Sequence, residues 1–84
     1  MKITFKLYAT LTDLLPAGAK ANAVEIDIPD DTTLNNLIDK YQVPRDLAHL
    51  VLVNGVFIGE ADRDNSGTLT EGDTLAIWPP VAGG

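Results

Sequence analysis

Thr33-Leu-Asn-Asn-Leu-Ile-Asp-Lys-Tyr41 (TLNNLIDKY, residues 33–41) is the stretch on which the fold turns. Leu34, Leu37, Ile38 and Tyr41 recur at i, i+3, i+4 and i+7, the apolar stripe of an amphipathic α-helix. Thr33 stands at the N-cap position, where a hydroxyl accepts from first-turn amides. Asp30 and Asp31 come just before it, where negative charge suits the helix dipole. Pro44 marks a break after the helix.

On either side the period changes to two. Upstream, residues 23–28 (AVEIDI) alternate, with Val24, Ile26 and Ile28 facing in and Glu25 and Asp27 out, until Pro29 stops the strand. Residues 2–8 (KITFKLY) alternate too: Ile3, Phe5 and Leu7 point one way, Lys2, Thr4 and Lys6 the other. Between these strands, Ala9 to Leu15 predicts a short helical turn with Leu11, Leu14 and Leu15 inward. Pro16 and Gly18 then open a loop of small residues, so an antiparallel pair is natural.

Downstream, residues 50–53 (LVLV) form a continuous apolar run, which suits a strand covered on both faces. Asn54-Gly55 is a hairpin turn signal, because both positions favour positive φ. Val56, Phe57 and Ile58 return as a short strand, residues 59–73 read as a polar loop, and residues 74–78 (TLAIW) make the last strand, with Leu75 and Ile77 on one face. The order is strand, strand, helix, strand, short strand, strand. That predicts an α+β domain in which one helix covers one face of a mixed four- to five-stranded sheet, the β-grasp or ubiquitin-like layout. Between the second and third strands the helix serves as a crossover, which makes a parallel central pair possible. Residues 1–79 form this domain and residues 80–84 an extended tail.

Composition narrows the function. The formal net charge is −6 and the pI about 4.3. That argues against nucleic acid and anionic membrane surfaces, both of which call for a Lys/Arg face, and permits a basic protein partner. With no cysteine, disulfides, thiolate catalysis and Cys-based metal sites are excluded. A single His49 cannot build a His-rich metal site, and a packing or surface role suits it better than catalysis. The opening MKITFKLYATL lacks the apolar run of a signal peptide, and no stretch approaches a membrane span. A cytoplasmic location is the default expectation.

The sharpest feature is the end, Trp78-Pro-Pro-Val-Ala-Gly-Gly84. Pro79 and Pro80 forbid helix and stiffen the chain. Residues 80–84 reach about 17 Å at roughly 3.3–3.6 Å each. Gly83 and Gly84 have no Cβ, so they can thread a narrow channel. A stiff base with a thin tip is built to enter another protein's active site. A terminal carboxylate is ionised at neutral pH and is a poor electrophile. It must be activated, as an acyl-adenylate, before a sulfide or persulfide can displace AMP and leave a thiocarboxylate on Gly84. No side chain of the chain itself need act, which suits a protein without cysteine.

The stretch Leu69-Thr-Glu-Gly72-Asp73-Thr-Leu-Ala-Ile-Trp78-Pro-Pro-Val-Ala-Gly-Gly84 resembles the C-terminal signature of the MoaD/ThiS family of ubiquitin-like sulfur carriers. The Gly-Asp step, the aromatic-Pro-Pro-Val step and the closing Gly-Gly all match. Lys6-Leu-Tyr-Ala-Thr-Leu11 is similar to the family's first strand and turn, Thr33-Leu34 with Leu37 to its helix start, and Val53-Asn54-Gly55 to its hairpin. Trp78 stands where the family usually has Phe or an aliphatic residue, and loop 59–73 is a few residues longer than usual. Within the family, the Pro-Pro-Val-Ala-Gly-Gly form resembles the small subunit of molybdopterin synthase.

The resemblance implies a carried co-substrate that is not itself an enzyme and binds no cofactor. An activating enzyme would spend ATP to adenylate Gly84, and a sulfurtransferase fed by a cysteine desulfurase would make the thiocarboxylate. The tail (Pro80, Val81, Ala82, Gly83) would then enter the large catalytic subunit of molybdopterin synthase and give sulfur to a pterin precursor in molybdenum cofactor biosynthesis. Trp78, Pro79 and Phe57 are candidate partner contacts, although a strand tryptophan is more often core or sheet-face filler. Three alternatives stay open. The sulfur could serve thiazole (thiamine), tungsten-cofactor or cysteine biosynthesis. Gly84 could instead conjugate to lysines as a protein modifier. Residues 62–73 (DRDNSGTLTEGD) mimic an EF-hand loop, with Asp62, Asp64, Ser66 and Asp73 at positions one, three, five and twelve and Gly67 at six, so the chain could bind calcium there. Strands rather than helices flank that loop.

Overall fold

The computed structural model describes residues 1–80. Five strands, β1 (Lys2–Leu7), β2 (Ala23–Asp27), β3 (Leu50–Val53), β4 (Val56–Phe57) and β5 (Thr74–Trp78), form one sheet in the order β2-β1-β5-β3-β4. The helix α1 (Leu34–Lys40) crosses one face, and short 3-10 turns fill Ala9–Leu14, Arg45–Leu47 and Glu60–Asp62. This is the expected β-grasp. The parallel central pair joins the first and last strands, Phe5 opposite Leu75 and Leu7 opposite Ile77, and not the two strands that the helix connects, which have β1 and β5 between them. β2 and β3 flank that pair, each antiparallel to its neighbour.

Strand alternation builds the core. Phe5, Leu7, Val51, Leu75 and Ile77 are 0% exposed and pack against Leu34, Leu37 and Ile38 of α1. Tyr41 lies over Phe5 with ring centroids 4.9 Å apart. Removing each such side chain from water stabilises the fold by about 1.5–3 kcal/mol.

Both ends of α1 are closed by side chain and backbone. Thr33 Oγ1 accepts from the Asn36 amide at 3.0 Å while Asn36 Oδ1 accepts from the Thr33 amide at 3.0 Å. That is a capping box with Asn in place of Glu or Gln. At the other end Gln42 takes φ 60°, the Val43 amide reaches back to Ile38 O at 2.9 Å, and the Gln42 amide to Asp39 O at 3.0 Å. This Schellman closure, two residues before Pro44, is what ends the helix.

The hairpin at Asn54-Gly55 has φ 51° and 83°, as its sequence demands. Two expectations change. The run Leu50–Val53 is not covered on both faces, since Leu50 is 42% exposed: a single helix can cover only one side of the sheet. Loop 59–73 is not wholly polar, because Arg63 and Leu69 are buried beneath it.

Candidate functional site

β5 delivers the tail from the middle of the sheet. At its end the Tyr8 amide donates to Ile77 O and the His49 amide to Trp78 O, each at 3.1 Å. Pro79 and Pro80 have no amide hydrogen, so no backbone N–H of theirs can continue the ladder. The chain is thus gripped from both sides up to Trp78. Val81, Ala82, Gly83 and Gly84 lie outside the described residues.

Around this root the uncovered face of the sheet is apolar on its β3–β4 side, while β1 sets Lys6 opposite Ala76 on the same face. Register pairs Leu50 with Trp78, Leu52 with Ala76 and Leu52 with Phe57, and residues directly opposite each other share a face. Trp78 is half-buried, its indole stacked on Tyr8 with centroids 3.8 Å apart and planes 8° from parallel. Phe57 is 54% exposed at the edge. Pro79 is half-buried and Pro80 exposed. The structure therefore brings Trp78, Pro79 and the start of the tail together, and puts Phe57 on the same face across β3. Trp78 fills the sheet face through Tyr8 and keeps part of its surface exposed to solvent.

Tyr8 and Leu50 were not singled out from sequence. Alternation carried one residue past Leu7 sets Tyr8 among the outward-pointing Lys2, Thr4 and Lys6, and an aromatic on that face was the available signal. Leu50 was hidden by the continuous apolar run.

The Gly72-Asp73 step is structural. The Gly72 amide donates to Lys2 O at 2.8 Å, with Gly72 at φ 84°. Asp73 accepts from Asn54 Nδ2 at 2.9 Å and from the Thr70 amide and hydroxyl at 2.8 and 3.0 Å, while Asn54 Oδ1 accepts from the Thr74 amide. The loop and the β3–β4 turn are pinned together at the start of β5. Burial pushes the Asp73 carboxyl up, but the hydrogen bonds from Asn54 and Thr70 outweigh it and hold it below the ordinary carboxylate range.

Those contacts also dispose of the calcium loop. Asp73 is turned to Thr70 and Asn54, Asp64 accepts from Asn35 Nδ2 at 2.9 Å, and Asp62 faces Asn65. The intended donors, Asp62, Asp64, Ser66 and Asp73, do not converge, and among the described residues no three His, Cys, Asp or Glu side chains could hold a metal ion. The EF-hand reading is corrected: without two flanking helices to wrap the loop, Asp62 takes a local donor from Asn65, while Asp64 and Asp73 are drawn to Asn35 of α1 and Asn54 of the β3–β4 turn. His49 is exposed and acts through its backbone. No helix among the described residues is long and apolar enough to cross a membrane.

A model of the ThiS family matches residues 6–84, nearly the whole sequence and all of the tail. The chain belongs to the ThiS family. Among solved structures it is similar to small archaeal modifier protein 1 (SAMP1) from Haloferax volcanii, at 26% identity over all of both chains with a TM-score of 0.67. It is also similar to a Pyrococcus furiosus protein provisionally assigned as subunit 1 of molybdopterin converting factor, at 23% identity over 95% of this chain and 98% of that one, TM-score 0.66. A third is the complex of subunits 1 and 2 of the molybdopterin-converting factor of Helicobacter pylori, at 22% identity over all of both chains, TM-score 0.57. No curated protein matches the sequence. Family and fold together make the chain a ubiquitin-like carrier or modifier of the MoaD/ThiS kind.

Proposed function

We propose that this ThiS-family chain is a sulfur carrier whose working group is the Gly84 carboxylate. An ATP-dependent activating enzyme joins that carboxylate to AMP and releases pyrophosphate. The terminal sulfur of a persulfide on a sulfurtransferase, supplied by a cysteine desulfurase, then attacks the acyl carbon, forms the C–S bond and expels AMP; a second thiol of that sulfurtransferase cleaves the resulting acyl disulfide, ending as a disulfide and releasing the thiocarboxylate. The tail, Pro80, Val81, Ala82 and Gly83, carries it into a large catalytic subunit that passes the sulfur to a pterin precursor in molybdenum-cofactor biosynthesis. The chain is the co-substrate in this cycle and supplies no catalytic side chain.

The observation that carries this reading is the tail root. The Ile77 carbonyl is held by Tyr8 and the Trp78 carbonyl by His49, the next two residues are prolines, and the β3–β4 side of the surrounding sheet face is apolar and uncovered. A partner that covers Leu50, Phe57 and Trp78 would therefore receive the tail in a set direction, with the net charge of −6 favouring a basic rim. The resemblance to the subunit 1–subunit 2 complex supports a larger catalytic partner of that type.

The test is intact mass after co-expression with the activating enzyme and a desulfurase. The carrier reading expects a gain equal to the replacement of one oxygen by sulfur, lost when Gly84 is deleted while the fold persists. A second reading, a protein modifier, is favoured by the likeness to SAMP1. It expects Gly84-dependent adducts on lysines of other proteins instead. Absence of any Gly84-dependent change would overturn both.

A further inference from the structure

Arg63 is the lone basic residue of the acidic loop 59–73, yet its side chain is not on the surface: the residue is 4% exposed. Burying a guanidinium is costly unless its donors are satisfied. The described ion pairs involve only the Met1 amine with Asp30 and Arg45 with Asp39, so no described carboxylate pairs with Arg63. Its acceptors are backbone carbonyls instead: Nε donates to Ile58 O at 3.0 Å, Nη1 to Ala48 O at 2.9 Å and Nη2 to His49 O at 3.4 Å.

The bond to Ala48 reaches the tail. The Ala48 carbonyl and the His49 amide belong to one peptide group, and that amide donates to Trp78 O at 3.1 Å. Arg63, the 48–49 peptide and the Trp78 carbonyl thus form a hydrogen-bonded relay, which ends at the last residue before Pro79. A charged donor on the carbonyl polarises the peptide and strengthens the amide as a donor at its other end. The same guanidinium lies 5.9 Å from the centroid of the Phe57 ring, within cation–π range, and its bond to Ile58 O holds the residue that follows Phe57.

We infer that Arg63 is a positioning residue that fixes the tail root and the Phe57 edge of the uncovered face as one unit, so that a partner docked on the face finds the tail correctly aimed. The inference rests on the carrier reading for what the aim is used for, but not for the relay itself. Planarity is the point: a guanidinium reaches three carbonyls with a rigid fork, whereas a lysine ammonium is one flexible point.

The test uses the full chain carrying Arg63→Lys or Arg63→Gln; the Gln variant keeps an amide donor if the lysine variant folds poorly. Two measurements are made well below the unfolding temperature. In amide hydrogen exchange, the His49 amide should exchange roughly tenfold faster in Arg63→Lys while the β1 amides keep their protection. In adenylation by the activating enzyme, KM for the carrier should rise about five- to tenfold with kcat nearly unchanged, because docking is impaired and the Gly84 chemistry is not. Unchanged His49 exchange, or a rise shared by every core amide, would overturn the relay and leave Arg63 a general stabiliser. Changed exchange with unaltered KM would overturn the link to docking. If the unmodified chain is not adenylated at all, the carrier reading fails, and the exchange result still decides the relay.

Discussion

The two faces of the sheet are made by alternate residues of the same strands and have opposite fates. Beneath α1, Phe5, Leu7, Val51, Leu75 and Ile77 are wholly removed from water. On the other side Leu50 and Phe57 remain 42% and 54% exposed and Trp78, stacked on Tyr8, is half-buried. Among the described residues there is one α-helix to cover the sheet, so one face is spent on stability and the other is left uncovered. An uncovered apolar surface invites self-association, and the net charge of −6 opposes it.

The contrast is broken most directly by matched truncations. Phe5→Ala should lower unfolding free energy by about 3–5 kcal/mol in denaturant titrations. Phe57→Ala should leave it within about 0.5 kcal/mol and instead weaken capture by the activating enzyme roughly tenfold or more, as loss of an aromatic anchor does. If both variants lost stability alike, the uncovered face would be core and not a docking surface.

Asp73→Ala removes the pin between the loop and the β3–β4 turn and should destabilise by about 1–3 kcal/mol, since Asn54 and Thr70 lose their acceptor. Helix ends touch only the covered face. Thr33→Ala should therefore cost about 1 kcal/mol of stability, and Gln42→Gly should add about 0.5–1 kcal/mol by relieving the left-handed backbone. Neither should alter partner affinity, which sharpens the division between faces.

The smallest effect is on pH. Asp73 is held below its ordinary carboxyl range, and so is Asp39 through its hydrogen bond and attraction to Arg45. The folded chain therefore binds these protons less readily than the unfolded one. Their contribution is complete above the unfolded Asp value of about 3.9 and fades as pH falls through the lower folded values. Thermal melts should show stability dropping below about pH 4, with a shallower drop in Asp73→Asn.

Much of the fold was legible because its signals are local. The stripe Leu34, Leu37, Ile38, Tyr41 and the cap at Thr33 need only neighbouring residues to be read, and so does the Asn54-Gly55 turn. The calcium reading failed for the complementary reason. Asp62, Asp64 and Asp73 have the right spacing along the chain, but where each carboxylate turns depends on Asn65, Asn35 and Asn54, two of which come from other elements. Arg63 was invisible for the same cause: a lone cation among carboxylates reads as a solvated charge until the Ala48, His49 and Ile58 carbonyls are seen around it.

By itself the sequence determined which segments are strands and which is the helix, which side chains of β1 and β5 share a face, and that the last strand runs into two prolines and a Gly-Gly end. All of these follow from period, turn chemistry and backbone stereochemistry over a few residues. Only the tertiary structure decided that β1 lies beside β5, that Tyr8 therefore stacks on Trp78, which face goes uncovered, and that Arg63 reaches the tail through the 48–49 peptide. Those depend on which strands pair across long separations, and pairing is chosen by the burial of the whole sheet against one helix rather than by any stretch of chain alone.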